Sequence, residues 1–230
     1  MPDTSRRLGL TRADVARAAV AMVHRDGLDG LTMRKLADAL DVWPRTIYHH
    51  AGGGREVICD LVVETVLAGV EVPSEELPWR DQIRDIAERL RDALHAHPGT
   101  ADRMLTHGPP LTADVLRIPD LVQSILVAEG LSLLDASCAW ALISSHVCQH
   151  VIVESRWTSQ ESGRGNMTPD EYEAYIDGVR AATADLPTLR QSIDLVAGAS
   201  YDYVFSFGLD ALLTGFAALT EATSTPPPAP

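Results

Sequence analysis

The sequence predicts an all-α fold, with a small three-helix domain at the N-terminus and a larger helical domain behind it. Three observations predict this. Apolar residues recur at helical spacing, as in Val15, Ala19, Met22 and Val23. Helix start and stop signals divide the chain into segments of helical length. No strand-type alternation of any length and no repeat of 20–50 residues interrupts them.

The N-terminal helices are predicted from their caps. Thr11 opens the first helix, with Asp14 three residues on as a weak capping box, and Gly27 stops it. Pro44 suits the first turn of a helix, and the glycines at 52–54 break the chain. The three helices that follow the first are predicted over Met33–Leu40, Pro44–His50 and Arg55–Leu67.

Behind a linker at Glu71–Pro78, the apolar pattern predicts helices, which one loop and a tail accompany. The predicted helices are Trp79–His97, Thr112–Glu129 with an interruption or kink at Pro119, Ser132–Arg156, Pro169–Ala184 and Tyr201–Glu221. Residues 157–168 are predicted to be a loop. The resulting domains are residues 1–70, residues 71–222 and a disordered proline-rich tail at 223–230.

Charge is distributed unevenly between these domains. The net charge is −13, yet residues 1–70 carry nine basic and nine acidic residues, whereas residues 71–230 carry ten and twenty-three. An acidic surface repels DNA, so any contact with DNA has to come from the neutral N-terminal domain.

No uninterrupted apolar run approaches the ~18 residues of a membrane span, and no apolar run follows Arg6 and Arg7. We therefore expect a cytoplasmic protein.

The three cysteines, Cys59, Cys138 and Cys148, show no C-x-x-C spacing. Their odd number argues against a disulfide framework, and reduced thiols are expected.

No glycine-rich phosphate loop follows a strand, and no serine lies in a nucleophile elbow. We therefore expect that the protein is not an enzyme.

Residues 32–50 have the length and the helix start and stop signals of a helix-turn-helix. The second helix of this unit exposes groups that bind DNA, and only Ile47 is clearly apolar. Arg45 can form two hydrogen bonds with a guanine edge, and Thr46 can meet a phosphate or a thymine methyl. Tyr48 and the two histidines that follow can donate to phosphates. The alternative is an ordinary solvated helix face.

Residues 31–50 (LTMRKLADALDVWPRTIYHH) resemble the DNA-binding domain of the TetR family of transcriptional regulators, as does the lead-in helix with Gly27–Gly30. The resemblance covers about residues 10–67. It implies a homodimer in which each protomer places its third helix in the major groove of a palindromic operator.

The resemblance also implies roles for individual residues. Arg34, Thr46, Tyr48 and His50 match DNA-contacting residue types of the tetracycline-repressor branch. Pro44 and Arg45 stand where that branch has Gln and Pro, and His49 replaces a Trp, so base preference is expected to differ. Gly54 stands where the branch has a phosphate-binding Lys, which the adjacent Arg55 is a candidate to replace. The candidate DNA-binding residues are Thr32, Arg34, Pro44, Arg45, Thr46, Tyr48, His49, His50 and Arg55.

More weakly, residues 79–81 and 205–213 are similar to the C-terminal domain of the same branch, which implies ligand binding and dimerisation. In that branch the inducer binds together with a magnesium ion, and a His holds the ion. Met104 occupies the corresponding position in this sequence. His146 and Glu154 match a His and a Glu of that branch. We assign neither tetracycline nor magnesium. The candidate ligand-binding residues are His97, Met104, His107, Trp140, His146, Gln149, His150 and Glu154.

His146, His150 and Glu154 recur at i, i+4 and i+8, a spacing that zinc sites use. The alternative is a polar stripe that lines a pocket or a subunit interface, and we assign no metal and no cofactor beyond an unidentified small-molecule effector. The predicted function is a ligand-responsive regulator, most simply a repressor that a small molecule releases from its operator. The alternatives on the same fold are an activator or a regulator that answers to a protein partner. Alternatives of other classes are a helical protein that binds or sequesters a small molecule without specific DNA binding, and a helical enzyme.

Overall fold

The computed structural model describes residues 9–158 and 168–224, which form helices joined by turns, without strands. The all-α prediction is confirmed. The helices of the described residues are α1 Arg12–Gly30, α2 Met33–Ala39, α3 Pro44–Ala51, α4 Arg55–Ala68, α5 Trp79–His95, α6 Thr100–His107, α7 Ala113–Ala128, α8 Leu133–Thr158, α9 Pro169–Ala182, α10 Pro187–Gly198 and α11 Tyr201–Ser224.

The first helix begins as predicted, because Thr11 and Asp14 form a reciprocal capping box. The Asp14 amide donates to the Thr11 hydroxyl at 3.1 Å, and the Thr11 amide donates to the Asp14 carboxylate at 3.0 Å. Gly27, with a φ of 69°, leaves helical geometry inside α1. The predicted stop at Gly27 is therefore a break that one further turn follows.

The helix-turn-helix consists of α2 and α3. Leu36 and Ile47 are fully buried between the two helices and α1. The turn depends on Asp41, which adopts a φ of 52°, a left-handed conformation that Asp tolerates better than most residues. This geometry brings the Val42 amide within 3.0 Å of the Ala37 carbonyl, so that the chain reverses and α3 crosses α2.

Helix α4 belongs to two hydrophobic clusters at once. On one side, Ile58 and Val62 pack into the N-terminal cluster with residues of α1, α2 and α3. On the other side, Val63 and Leu67 pack into the C-terminal cluster. Since one helix supplies core residues to both domains, a shift of α4 moves the helix-turn-helix relative to the body.

The C-terminal domain is built around α8, which packs against α5, α6, α7 and α11. Leu90, Val122, Ile143 and Leu209 lie at its centre, and none of them is more than 1% exposed. Close packing of this kind fixes the helices that surround any cavity in the domain.

The structure differs from the sequence-based expectation in several elements. Helices α6 and α10 were not predicted, and α7 continues through Pro119 without the interruption that was one of the two predicted possibilities. Helix α8 runs two residues into the predicted loop, and α11 reaches Ser224, inside the predicted tail. The rest of that loop up to residue 167, and the tail from 225 onward, lie outside the described residues.

Helices α8 and α11 contain the stretches Leu133–Ser155 and Tyr201–Glu221, which are long and apolar enough to cross a membrane by length and composition alone. In the protomer both are core helices: Ile143 of α8 and Leu209 of α11 are fully buried. Their outer faces carry exposed apolar side chains, among them Leu142 and Phe207.

Candidate DNA-binding surface and effector cavity

The recognition helix α3 has one buried face and one exposed face. Pro44 occupies the first turn, and Gly52, with a φ of 80°, ends the helix. Ile47 and Ala51 point into the core, whereas Arg45, Tyr48 and His49 are exposed. Because apolar burial holds only one side, the opposite side is free to enter a DNA groove.

The predicted DNA-binding residues outside the middle of α3 fall on the same outer surface or at its edge. Thr32 caps α2 by accepting from the Lys35 amide at 3.2 Å, and Arg34 projects from the first turn of α2. Thr46 and His50 are half-buried, and the His50 ring lies 5.4 Å from that of His49. The α2 and α3 candidates thus lie on two helices that pack against each other.

Arg55 is engaged elsewhere. Its guanidinium donates to the carbonyl oxygens of Leu31 at 3.1 Å and Leu28 at 2.9 Å, at the end of α1. It also reaches Glu56 at 3.5 Å. Arg55 therefore joins α4 to the end of α1, and these contacts would have to break before it replaced a phosphate-binding Lys at position 54.

Gly54 lies under the ring of Tyr48. A Cβ at residue 54 would come within 3.2 Å of Tyr48 Cε1, which is tighter than ordinary van der Waals contact. The small residue at 54 lets the Tyr48 ring rest against the start of α4 while the side chain stays 48% exposed. The glycine that replaces the Lys of the tetracycline-repressor branch thus leaves room for the Tyr48 ring.

Trp43 is a candidate that the sequence analysis missed. It immediately precedes Pro44, at the N-cap of α3, and is 70% exposed. An indole exposed at the start of a recognition helix can pack on sugars or thymine methyl groups. The signal in the sequence was a large aromatic residue in a tight turn, where a small polar residue is usual.

An apolar cavity of about 220 Å³, partly open to the surface, lies in the C-terminal domain between α4, α5, α6, α7 and α8. Of the predicted ligand-binding residues, Met104 and Trp140 line it. Val115 and Pro119 form the α7 wall, and Cys148 lies on α8, where burial raises the thiol pKa to about 11.

The remaining predicted ligand-binding residues lie elsewhere. The His97 imidazole donates to the Ala93 carbonyl at 2.7 Å and lies 5.5 Å from the His24 ring, at the junction of the two domains. His107 lines a second, polar cleft of about 500 Å³ between the domains. Gln149 is exposed on α8.

His146, His150 and Glu154 do share a face of α8, as their spacing predicts, but that face meets α5 and α11. His146 Nε2 donates to the Phe205 carbonyl at 3.0 Å, and the two rings stack at 5.2 Å. Both Glu154 oxygens accept from Arg91, at 3.1 and 3.0 Å. The stripe joins three helices and does not line the apolar cavity.

His150 belongs to the same junction. It is buried, and its Nε2 has no hydrogen-bond partner and lies 3.8 Å from Glu154. Burial, with the Arg91 charge nearby, lowers the pKa of this imidazole, so it is neutral at pH 7. Among residues 9–158 and 168–224, no group of three or more His, Cys, Asp or Glu side chains is arranged to hold a metal ion.

One buried arginine ties the cavity region to the DNA-binding domain. Arg103 of α6 is only 8% exposed and donates to Asp60 Oδ1 at 3.0 and 2.7 Å. It also donates to the Glu56 side chain at 2.8 Å and to the Glu56 carbonyl at 3.1 Å. The hydrogen bond from Arg103 lowers the pKa of Glu56, so this carboxylate stays charged at neutral pH.

The interdomain contacts form one continuous chain. Glu56 contacts Arg103 and Arg55, and Arg55 contacts the end of α1. Beside them, the Leu28 amide donates to the Pro98 carbonyl at 2.8 Å. Met104 of the cavity wall follows Arg103 directly, so α6 contacts both the cavity and α4.

Comparison with known proteins agrees with this arrangement. Residues 15–57 match the family described as bacterial regulatory proteins of the tetR family, and residues 72–220 match the tetracyclin repressor-like C-terminal domain. The chain belongs to the TetR family of transcriptional regulators. The expectation of a ligand-responsive, DNA-binding regulator is therefore confirmed at the level of the family.

The similarity to individual relatives extends over nearly the whole chain. An HTH-type transcriptional regulator from Saccharopolyspora erythraea is 32% identical over 91% of this chain and 85% of its own length. The class E tetracycline repressor protein from Escherichia coli is 27% identical over 94% and 96%. The structure of ActR from Streptomyces coelicolor in complex with actinorhodin has a TM-score of 0.76 at 25% identity, over 92% of this chain and 99% of that one.

Proposed function

We propose that this chain is a homodimeric repressor in the cytoplasm, released from a palindromic operator when a small molecule enters the apolar cavity. The observation that carries the proposal is the exposed outer face of α3, on a neutral domain attached to an acidic body. The charge pattern leaves this domain as the part of the molecule that DNA attracts.

Dimerisation is supported by the apolar outer faces of α8 and α11. Leu134 and Leu142 project from α8 with 73% and 52% of their surface exposed. On α11, Tyr203 and Phe207 are 64% and 65% exposed, and their rings stack at 6.3 Å. Apolar area of this kind is usually covered by a partner. A second copy that pairs α8 and α11 would form a four-helix interface.

The coupling between effector and DNA follows from α6. In a symmetric dimer, two recognition helices read successive major grooves only when they lie about 34–36 Å apart. An effector that binds better to a conformation with another spacing lowers operator affinity. Arg103 transmits such a change, because it holds α6 against Glu56 and Asp60 of α4.

The decisive experiment is selection of bound fragments from the source genome by the purified protein, at one fixed near-physiological salt concentration. We expect enrichment of a short palindrome, and its neighbouring genes would suggest the effector. Weak, salt-sensitive and sequence-blind retention would favour the alternative of a protein that sequesters a small molecule. A gain of operator affinity on effector binding would indicate an activator.

Replacing Arg103 by glutamine tests the coupling. Glutamine loses the charge and most of the hydrogen bonds to Glu56 and Asp60, so α4 follows α6 less closely. We expect the effector-induced loss of operator affinity to shrink by about threefold to tenfold, in proportion to typical coupling energies. Fluorescence anisotropy of the labelled operator, with and without saturating effector, measures this ratio.

Arg84→Gln is the matched control for this substitution. Arg84 pairs with Asp210 between α5 and α11, and no ion pair or hydrogen bond of the described residues joins it to α4. Its loss should leave the effector-induced change within about twofold of the wild-type protein. If Arg103→Gln and Arg84→Gln behaved alike, coupling through α6 would be excluded.

A further inference from the structure

The chemistry of the apolar cavity restricts the effector that can occupy it. Its walls are mostly aliphatic, with Met104 and Trp140 as the groups best suited to contact a ring. None of the residues known to line it carries an Asp, Glu, Lys, Arg or His side chain. A charged ligand would therefore lose its hydration and find no opposite charge in the cavity, which is strongly unfavourable.

The donor set of the cavity also does not suit a hydrated divalent cation. Magnesium prefers oxygen ligands, and Met104 offers a thioether, which is a soft ligand. The two residues that match the tetracycline-repressor branch are occupied. His146 donates to the Phe205 carbonyl, and Glu154 accepts from Arg91.

A few neutral polar groups do remain on the walls. Pro119 has no N–H, so the carbonyl of Val115, one turn earlier in α7, lacks its usual helical donor. Ser144 donates to the Ala141 carbonyl at 3.2 Å, which leaves the lone pairs of its oxygen available. Cys148 adds an uncharged thiol. These groups favour a ligand that presents hydrogen-bond donors.

We infer that the effector is a neutral, compact ring compound with one or two hydroxyl groups, bound without a metal ion. The cavity volume of about 220 Å³ suits a small ligand, since drug-sized sites measure about 300–1,000 Å³. The ring lies between Met104 and Trp140, and a hydroxyl group donates to the α7 carbonyl or to Ser144. This assignment rests on the proposed function of the cavity as the effector site.

Calorimetric titration of the full chain with 2-naphthol and with 2-naphthoate tests the assignment, because the two probes share a ring system and differ in charge. We expect 2-naphthol to bind once per protomer, with an affinity unchanged by EDTA. The carboxylate of 2-naphthoate should reduce affinity at least tenfold. Quenching of Trp140 fluorescence, absent in Trp140→Phe, reports that the probe occupies this cavity.

Ser144→Leu, which fills the cavity, should reduce 2-naphthol affinity at least tenfold, whereas Asp120→Leu on the exposed side of α7 should not change it. Ala141→Leu serves the same purpose if Ser144→Leu does not fold. Failure of 2-naphthol to bind, equal affinity for 2-naphthoate, or tight binding only of tetracycline with magnesium would overturn the assignment. The genomic fragment selection uses ligand-free protein, so failure of the proposed DNA function is detected separately.

Discussion

Arg45→Ala will reduce affinity for the preferred operator by about fivefold to 150-fold, which corresponds to about 1–3 kcal/mol. Arg45 lies on the exposed face of α3, and no contact of the described residues holds its guanidinium. It can therefore approach a guanine and form two hydrogen bonds, both of which alanine removes. Anisotropy titrations on the selected operator and on single-base variants measure the loss.

The operator variants show which kind of contact is lost. If Arg45 reads a base, discrimination at one position relaxes while the salt dependence of binding changes little. If it contacts a phosphate, affinity falls equally on all sequences and the slope against the logarithm of salt concentration drops by about one. Arg80→Ala is the matched control, because Arg80 packs over the Trp79 ring on α5, away from α3.

Gly208→Ala will lower the free energy of unfolding by about 1–3 kcal/mol, the usual cost of overpacking a well-packed site. A Cβ at residue 208 would lie 2.3 Å from Cε1 of His146 and 3.0 Å from its Nε2. The imidazole cannot simply turn away, because it stacks on Phe205 and donates to that residue's carbonyl. Helices α8 and α11 must therefore separate.

A double-mutant cycle with His146→Ala checks this explanation by urea denaturation at one protomer concentration. With the imidazole gone, Gly208→Ala should cost less than about half of its single-variant value. Gly178→Ala in α9, where the added Cβ meets none of the described atoms within 4 Å beyond the adjacent residues and the helix's own backbone, controls for the helix propensity of alanine. Equal costs with and without His146 would refute the steric account.

The DNA-binding half was predictable because its signals are local. Thr32 caps α2, Pro44 starts α3, and the single apolar residue Ile47 identifies the buried face of α3. Each signal acts within one or two turns of its own helix. The left-handed Asp41 in the turn was not foreseen, because an aspartate gives little indication of its backbone conformation.

The cavity and the domain junction were predicted less well, because they depend on distant parts of the chain. The spacing of His146 and Glu154 placed them on one face of α8, but their partners Phe205 and Arg91 come from other helices. Helix α6 begins after Gly99, whose φ of 91° accompanies close contact with Leu28 of the other domain. No local pattern encodes such contacts.

The double membership of α4 affects how the molecule loses its structure. A fragment that ends near residue 70 would keep Ile58 and Val62 covered but would expose Val63 and Leu67 to water. The first domain alone therefore carries an uncovered apolar strip along α4, and the second domain alone lacks Val63 and Leu67 from its core. The two domains are consequently expected to melt as one cooperative unit rather than in two separate steps, although they serve different functions.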